Sequence, residues 1–164
     1  MPDKIYNVLF ICTGNSARSV MAEGLMNALG RGRFKAYSAG SHPKGQVHPL
    51  ALKTLAAHHL PTDGFRSKGW ETFAGPEAPV LHFVFTVCDQ AAGEVCPVWP
   101  GQPMTAHWGL PDPAAVAGEP KAQEKAFVDA FVTIKRRIEL LLALPLASLD
   151  RMAIQHDLQD IGRR

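Results

Sequence analysis

Cysteine, net charge and long hydrophobic runs are all scarce in this sequence. Its 17 basic and 15 acidic residues leave a formal net charge of only +2. The basic residues are scattered rather than gathered in one run, so we expect no nucleic acid partner. No stretch is long or apolar enough to cross a bilayer, and the first residues lack the charged and hydrophobic regions of a secretory signal. We therefore expect a cytoplasmic protein that does not bind membranes.

The three cysteines, Cys12, Cys88 and Cys96, do not fit the disulfide framework of a secreted domain, which would use an even number. In a reducing cytosol such residues are better interpreted as nucleophiles or redox groups. Cys88 and Cys96 are too far apart for a zinc knuckle, and no histidine pair stands at the usual spacing. Four histidines between residues 42 and 59 are interpreted as surface or capping residues. We therefore expect no bound metal.

The pattern of hydrophobic residues predicts the fold class. The 164 residues, 46% of them hydrophobic, suit one compact domain with a substantial core. Strands are predicted at 5–11, 34–40, 80–87 and 104–108, and helices at 19–29, from Pro49 onward, at 121–144 and after an N-cap at Ser148. Strands that alternate with helices predict a doubly wound α/β sheet. In such folds, functional sites gather at the carboxyl ends of the strands.

A tight loop joins the first predicted strand to the first predicted helix, with the sequence Cys12-Thr13-Gly14-Asn15-Ser16-Ala17-Arg18-Ser19. Successive backbone N–H groups in such a loop can form an anion-binding nest, and the helix after it directs its positive dipole end at the same point. Arg18 adds a planar guanidinium able to bind two oxygens of one anion. In this positive field we expect Cys12 to be largely thiolate near neutral pH. The loop therefore predicts a nucleophile beside a bound tetrahedral oxyanion.

A purely structural interpretation of the same loop stays open. A free cysteine is often a small buried hydrophobe, and Arg18 would then be a solvated residue of the first helical turn. A bare Cys-x5-Arg pattern also occurs by chance in many chains. The apolar strand before the loop, the Gly and Asn inside it, and the Ser and helix after it favour catalysis.

This loop, together with the adjoining Met21-Ala22-Glu23-Gly24, resembles the signature of the low-molecular-weight tyrosine phosphatase superfamily. Within that superfamily the chain most resembles the thioredoxin-coupled arsenate reductases. The resemblance implies a single catalytic domain over residues 1–164, with a four-stranded parallel sheet and helices on both faces. It covers a core of about residues 4–144 and leaves an extra C-terminal helix, about residues 148–162, for packing or self-association. It also makes the loop the binding site for arsenate or a phosphate-like oxyanion.

The resemblance gives a role to Asp112, which precedes a proline in a late loop. An Asp-Pro pair in a loop is usually a turn and nothing more. In this superfamily, however, the Asp-Pro of the corresponding loop carries the general acid, and a carboxylic acid above an anion pocket can protonate a leaving oxygen. The same resemblance implies that Glu23 and Ser38 support the anion loop or hold a cation. Glu23 also suits an ordinary polar position on the first helix.

Cys88 comes directly after the predicted strand 80–87, so it and Cys12 both stand at the carboxyl end of a parallel strand. On this shared edge we expect the two sulfurs to face one pocket. If the segment 89–97 were a rigid helix, it would hold Cys88 and Cys96 too far apart for a disulfide. A glycine and a proline in it favour its looping out, so we predict a mobile redox segment. In the alternative, Cys88 is a core residue and Cys96 an incidental loop thiol.

Two reactions share this machinery and differ in the steps after the first attack. Phosphatases of the superfamily typically carry tyrosines after their Asp-Pro, whereas Ala114-Ala115 stands here. Cys88 and Cys96 are superfluous to a phosphatase and match the thiol pair of the reductases, at a slightly longer spacing. The resemblance therefore implies arsenate reduction for arsenic detoxification through a Cys12, Cys88 and Cys96 relay. The implied reductant is thioredoxin, or glutaredoxin with glutathione, and no cofactor is required. A tyrosine phosphatase and a non-enzymatic anion-binding module remain as alternatives.

Overall fold

The computed structural model describes residues 5–75, 77–87 and 103–164. Its strands are β1 (Tyr6–Cys12), β2 (Phe34–Gly40), β3 (Phe83–Thr86) and β4 (Met104–His107). The α-helices of the described residues are α1 (Arg18–Leu29), α2 (Pro49–Ala57), α3 (Pro120–Leu142) and α4 (Arg151–Ile161). The strands form one parallel sheet in the order β2-β1-β3-β4. The predicted α/β fold with a four-stranded parallel sheet is confirmed.

β1 lies inside the sheet, between β2 and β3, and its residues 8–11 are completely buried. A strand covered on both faces can carry a continuous apolar run, which explains why this segment does not alternate polar and apolar residues. Phe10, Phe85 and Trp108 pack beside one another, and the ring centroids of Phe85 and Trp108 are 3.9 Å apart. This aromatic layer fixes the chain after β4 against the two inner strands.

The helices cover the sheet through apolar faces. Helices α1, α2 and α3 contact one another, and α4 contacts β4 and α3. The buried apolar residues of α3 recur at helical spacing, and they include Phe127, Phe131, Ile134, Ile138 and Leu141. The indole Nε1 of Trp108 donates to the carbonyl of Leu158 at 2.9 Å, which ties α4 to the sheet. Across the three described ranges, no helix combines the length and apolarity needed to cross a membrane.

The start of the last helix differs from the prediction. Its N-cap is Asp150, whose carboxylate accepts a hydrogen bond from the N–H of Ala153 at 2.7 Å, so the prediction that Ser148 caps this helix is wrong. Ser148 instead ends a 3-10 turn, Leu146–Ser148. Leu146 is buried, and its packing holds this turn on the core, so the helix begins only beyond it. Serine and aspartate are both good N-caps, and the tertiary contact decides between them.

Two other elements fall short of a predicted end by two residues or more. α3 ends at Leu142 rather than at residue 144, because the residue before Pro145 is disfavoured in the helical conformation. β3 occupies only Phe83–Thr86 of the predicted strand 80–87. Neither change alters the order of the elements.

The parallel strands bring two loops to one edge of the sheet. β1 ends at Cys12 and leads into the short loop before α1. β4 ends at His107 and leads into the segment 109–113, which carries the Asp-Pro pair. Because the carboxyl ends of parallel strands face the same way, these loops lie side by side.

Candidate oxyanion site

The loop between β1 and α1 is held from outside by the segment that precedes α2. Backbone N–H groups of this segment donate to loop carbonyls: His42 to Thr13 at 2.9 Å, Lys44 to Gly14 at 3.0 Å and His48 to Ser16 at 2.8 Å. In a planar trans peptide the C=O and the N–H point in opposite directions. Because each of these carbonyls points outward to its donor, the N–H of the same peptide group points toward the loop interior. The loop therefore offers converging donors to an anion.

Two residues meet special backbone requirements of this loop. A Cβ atom on Gly40 would lie 2.5 Å from the carbonyl oxygen of Thr13, so only glycine fits there. Asn15 has a φ of 45°, in the left-handed region that asparagine tolerates better than most residues. Its buried side chain is bonded at both ends, to the Ser19 hydroxyl and to the backbone N–H of Lys68. These bonds stabilise the turn in the loop between β1 and α1.

Cys12 is buried at the base of the loop, with 3% of its surface exposed. Its Sγ lies 2.9 Å from the hydroxyl oxygen of Ser19 in the first turn of α1. The side-chain amide of Asn15 donates to that same oxygen at 2.9 Å. Because the Ser19 oxygen already accepts this bond, its own proton is free to point at the sulfur. The Ser19 hydroxyl can then donate to the sulfur of Cys12.

A partly buried acidic group, Glu23, lies in contact with Ser38 and Lys68. The Ser38 hydroxyl donates to Oε1 of Glu23 at 2.7 Å, and the Lys68 ammonium lies 3.9 Å from the same oxygen. Burial raises the pKa of Glu23, against the opposing effects of Ser38 and Lys68. Burial also lowers the pKa of Lys68. Sequence reasoning pointed to Glu23 and Ser38 but missed Lys68, because nothing in its loop sequence indicates a buried partner.

Arg18 and Asp112 meet across the site. Arg18 Nη2 lies 3.7 Å from Asp112 Oδ2, and its Nη1 donates to the carbonyl of Leu110 at 2.9 Å. The other carboxylate oxygen of Asp112 accepts from the N–H of Ala114 at 2.9 Å, at the start of the 3-10 turn Pro113–Ala115. The Asp112 side chain is 37% exposed, whereas that of Arg18 is only 13% exposed. The carboxyl group is therefore partly open to solvent, whereas the guanidinium that it meets is mostly buried.

Two of the four clustered histidines have structural roles in this neighbourhood. His48 caps α2 by accepting the N–H of Leu50 on Nδ1 at 3.1 Å, and its ring centroid lies 4.8 Å from that of Phe127. Burial lowers the pKa of His48, and repulsion by Lys44 adds to this effect. His58 stacks on a phenylalanine of α3 at a ring distance of 4.0 Å. Among the residues that the structure describes, no three His, Cys, Asp or Glu side chains are grouped to hold a metal ion.

The predicted thiol pair, Cys88 and Cys96, lies outside the described residues, so the predicted mobile segment remains a prediction. The described chain ends just before it, at Val87. The backbone N–H of Val87 donates to the carbonyl of Ile11 at 2.8 Å. The residue before Cys88 is thus bonded to the residue before Cys12.

Comparison with known proteins finds a matching family model and relatives over most of the chain. The family model for low molecular weight phosphotyrosine protein phosphatases matches residues 7–154. An arsenate reductase from Halalkalibacterium halodurans is 33% identical over 132 residues, which cover 80% of this chain and 91% of the relative. An arsenate reductase from Bacillus subtilis is 35% identical over 121 residues, or 72% of this chain and 80% of the relative.

Solved structures of an arsenate reductase and of a tyrosine phosphatase share the fold. A structure of an arsenate reductase in the phosphate binding state superimposes with a TM-score of 0.67 at 28% identity, covering 84% of this chain and 97% of that one. A low molecular weight protein tyrosine phosphatase from T. tengcongensis also gives a TM-score of 0.67, with 21% identity over 84% of this chain and 97% of its own. At 21% identity, the similarity to this phosphatase shows only that the two proteins share a fold.

Proposed function

Because this chain belongs to the low molecular weight phosphotyrosine protein phosphatase family, we propose that it uses the family's anion loop to reduce arsenate to arsenite in arsenic detoxification. The observation that carries the proposal is the approach of Arg18, which follows directly on the loop that begins at Cys12, to Asp112, at 3.7 Å. The arsenate reductases similar to it over most of their length support the choice of substrate.

The first step is attack on a bound oxyanion. Arsenate occupies the loop, where backbone N–H groups and the Arg18 guanidinium bind its oxygens. The Cys12 thiolate, with Ser19 as hydrogen-bond donor, forms a bond from sulfur to arsenic. One arsenate oxygen leaves as water after Asp112 has given it a proton. The partial exposure of the Asp112 carboxyl group allows it to regain that proton from solvent.

Reduction requires two electrons, which thiols supply in a relay. The Cys88 thiolate attacks the Cys12 sulfur, a disulfide forms, and the sulfur–arsenic electron pair stays on arsenic, which leaves as arsenite. The Cys96 thiolate then attacks Cys88, frees Cys12 and leaves a Cys88–Cys96 disulfide. The bond between Val87 and Ile11 supports the first exchange, because it aligns the chain before Cys88 with the chain before Cys12.

An external dithiol must return the enzyme to its starting state. Thioredoxin can do so by the same exchange at an exposed disulfide, and glutaredoxin with glutathione is the other thiol donor that fits. Both donors act in the cytoplasm, where we place the protein. The proposed reaction needs no metal or organic cofactor.

A phosphatase is the second candidate function. Cys12, Arg18 and Asp112 form the machinery for phosphoryl transfer without help from Cys88 or Cys96. The family to which the chain belongs is one of phosphatases, which favours this activity. Against it as the main function, Asp112 leads through Pro113 into two alanines, which offer no aromatic contact to a tyrosine substrate. We therefore place phosphatase activity as a side reaction.

The test is arsenate turnover coupled to thioredoxin, thioredoxin reductase and NADPH. The parent should oxidise NADPH continuously in the presence of arsenate. Replacement of any one of the three cysteines by serine should abolish multiple turnover. Sustained turnover by Cys96→Ser would refute the last exchange of the relay. Phosphotyrosine hydrolysis that is sustained in the parent, unaffected by Cys88→Ser and unaccompanied by arsenite would favour the phosphatase.

A further inference from the structure

Arg137 is a buried cation on α3 that the proposed reaction does not use. Only 7% of its surface is exposed. Burial lowers the pKa of its guanidinium, and repulsion by Arg136 adds to the effect. Its Nε is buried with no hydrogen-bond partner among the described residues. Burying such a group costs folding free energy, so its contacts must supply something that an apolar side chain could not.

The contacts of Arg137 lie at the beginning of the loop that carries Asp112. Its Nη1 donates to the carbonyl of Trp108 at 2.6 Å and to that of Gly109 at 3.2 Å. The next carbonyl along the chain, that of Leu110, accepts the hydrogen bond from Arg18. The Arg137 guanidinium therefore binds two consecutive carbonyl groups of this loop, and the Arg18 guanidinium binds the carbonyl group that follows them.

α3 also holds the far end of this loop. The side-chain amide of Gln123 donates to the carbonyl of Ala114 at 3.2 Å. Asp112 thus lies between two anchors on the same helix, Arg137 before it and Gln123 after it. A cleft of about 380 Å³ lies between the loop and α3, with Asp112 and Arg137 in its lining. Because this space is not filled by packed side chains, hydrogen bonds must supply the rigidity that packing would otherwise give.

We propose that Arg137 is a positioning residue, which holds the loop 108–112 so that Asp112 stands above the anion loop as general acid and Leu110 orients Arg18. The proposal rests on the first step of the proposed function, which arsenate and phosphate esters share. An error of about 1 Å in the place of a catalytic group can cost about 100-fold in rate. Loss of this anchor should therefore damage proton donation more than it damages folding.

Aryl phosphates provide a readout that a purely structural role would not change. The value of kcat/KM covers the steps up to loss of the phenol from the enzyme. Phenyl phosphate has a poor leaving group that needs the general acid, whereas 4-nitrophenyl phosphate has a good one that needs it little. The ratio of the two kcat/KM values therefore measures how well Asp112 is placed. A loss of folded protein lowers both values equally and leaves the ratio unchanged.

The test compares Arg137→Met with Arg136→Met, which removes the same charge from an exposed position one residue earlier. Arg137→Met should widen the ratio about tenfold in favour of the nitrophenyl ester, and Arg136→Met should leave it within about twofold of the parent. Arg137→Lys, which keeps one donor, should give an intermediate ratio, and it serves as the test if the methionine variant does not fold. In an Asp112→Asn background, Arg137→Met should add little further change to the ratio.

The proposal would be overturned if both Arg137 variants kept the parent's ratio of kcat/KM values, even at lower rates. It would also be overturned if the parent released no phenol from either ester. Arsenite formation by the parent is scored separately. If the ratio widens but the parent forms no arsenite, the positioning role stands and arsenate reduction fails. If the parent forms arsenite but the ratio does not change in the Arg137 variants, arsenate reduction stands and the positioning role fails.

Discussion

The hydroxyl of Ser19 lies 2.9 Å from the sulfur of Cys12, and the side chain of Asn15 donates to that hydroxyl from the other side. In this arrangement the Ser19 hydroxyl is placed to donate to the sulfur. Ser19→Ala should therefore slow alkylation of Cys12 by iodoacetamide about fivefold at a pH low enough for the parent sulfur to be mostly protonated, the equivalent of one hydrogen bond of about 1 kcal/mol. Ser16→Ala is the matched control, because Ser16 belongs to the same loop and its backbone carbonyl anchors it to His48. Equal alkylation rates in the parent and Ser19→Ala would contradict this role.

Asp112 should act on the chemical step and not on anion binding. Asp112→Asn removes the proton donor, and arsenite formation should fall about 100-fold. The same change removes a negative charge 3.7 Å from Arg18, so inorganic phosphate should protect Cys12 from alkylation at an equal or lower concentration than in the parent. Asp129→Asn, on α3 at the other side of the cleft, should leave both measurements unchanged. Weaker phosphate protection in Asp112→Asn would point to a binding role instead.

The pairing of Lys68 with Glu23 should make loop stability depend on pH. Burial raises the pKa of Glu23, so the folded chain binds this proton more tightly than the unfolded chain does. The protonated carboxyl group of Glu23 contributes stability. This contribution is fully present below the pKa that Glu23 has in the unfolded chain, and it is lost as pH rises through its pKa in the folded chain. Lys68→Met removes the nearby cation and should lower the free energy of unfolding by about 1–2 kcal/mol at pH 8.

That loss should shrink as the pH falls and Glu23 takes up its proton. Urea unfolding at several pH values measures both effects. The double variant Lys68→Met with Glu23→Gln is the control, since a neutral amide needs no cation, and it should recover part of the stability at pH 8. A loss in Lys68→Met that is the same at every pH would show that the ammonium acts by packing alone.

The cap supplied by His48 should fail in acid. Burial lowers the pKa of His48 in the folded chain, so this chain binds the proton less tightly than the unfolded one. The stabilisation by the cap is present above the ordinary pKa of histidine and is lost as pH falls through the lower pKa that His48 has in the folded chain. The reason is that a protonated ring cannot accept a hydrogen bond from the N–H of Leu50. His48→Ala should lower the free energy of unfolding by about 1 kcal/mol at pH 8 and by less in acid.

His48→Asn keeps an acceptor that does not titrate in this range, so thermal melts should find it close to the parent at pH 8 and more stable than the parent in acid. If the alanine and asparagine variants melt alike at pH 8, the cap is not the source of the stabilisation.

Strong local signals allowed much of the fold to be predicted. The apolar run before Cys12 is the inner strand β1, which is buried on both faces, and the alternating pattern ending at Gly40 is the edge strand β2. The choice between Ser148 and Asp150 as a cap could not be made from sequence, since both residue types suit the position. Burial of Leu146 decides it, and that burial is a tertiary property.

The candidate site was predictable where one short segment carries it and less so elsewhere. The loop beginning at Cys12 is a single motif, whereas Asp112 needed a family resemblance, because an Asp-Pro pair alone indicates only a turn. Lys68 was missed because its partner, Glu23, is distant in sequence. Arg137 did leave a signal, since it falls three residues after Ile134 inside the apolar stripe of α3. A charged residue within a buried stripe is a reason to look for a fixed partner.

The yield of arsenite in a single turnover, without any external reductant, tests the central claim most directly. The reduced parent should release one arsenite per chain and end with a Cys88–Cys96 disulfide, detectable by mass spectrometry of peptides. Cys96→Ser should also release one arsenite and stop at a Cys12–Cys88 disulfide, whereas Cys88→Ser should release none. Arsenite from Cys88→Ser in the same yield as from the parent, or none from the reduced parent, would contradict the proposed relay.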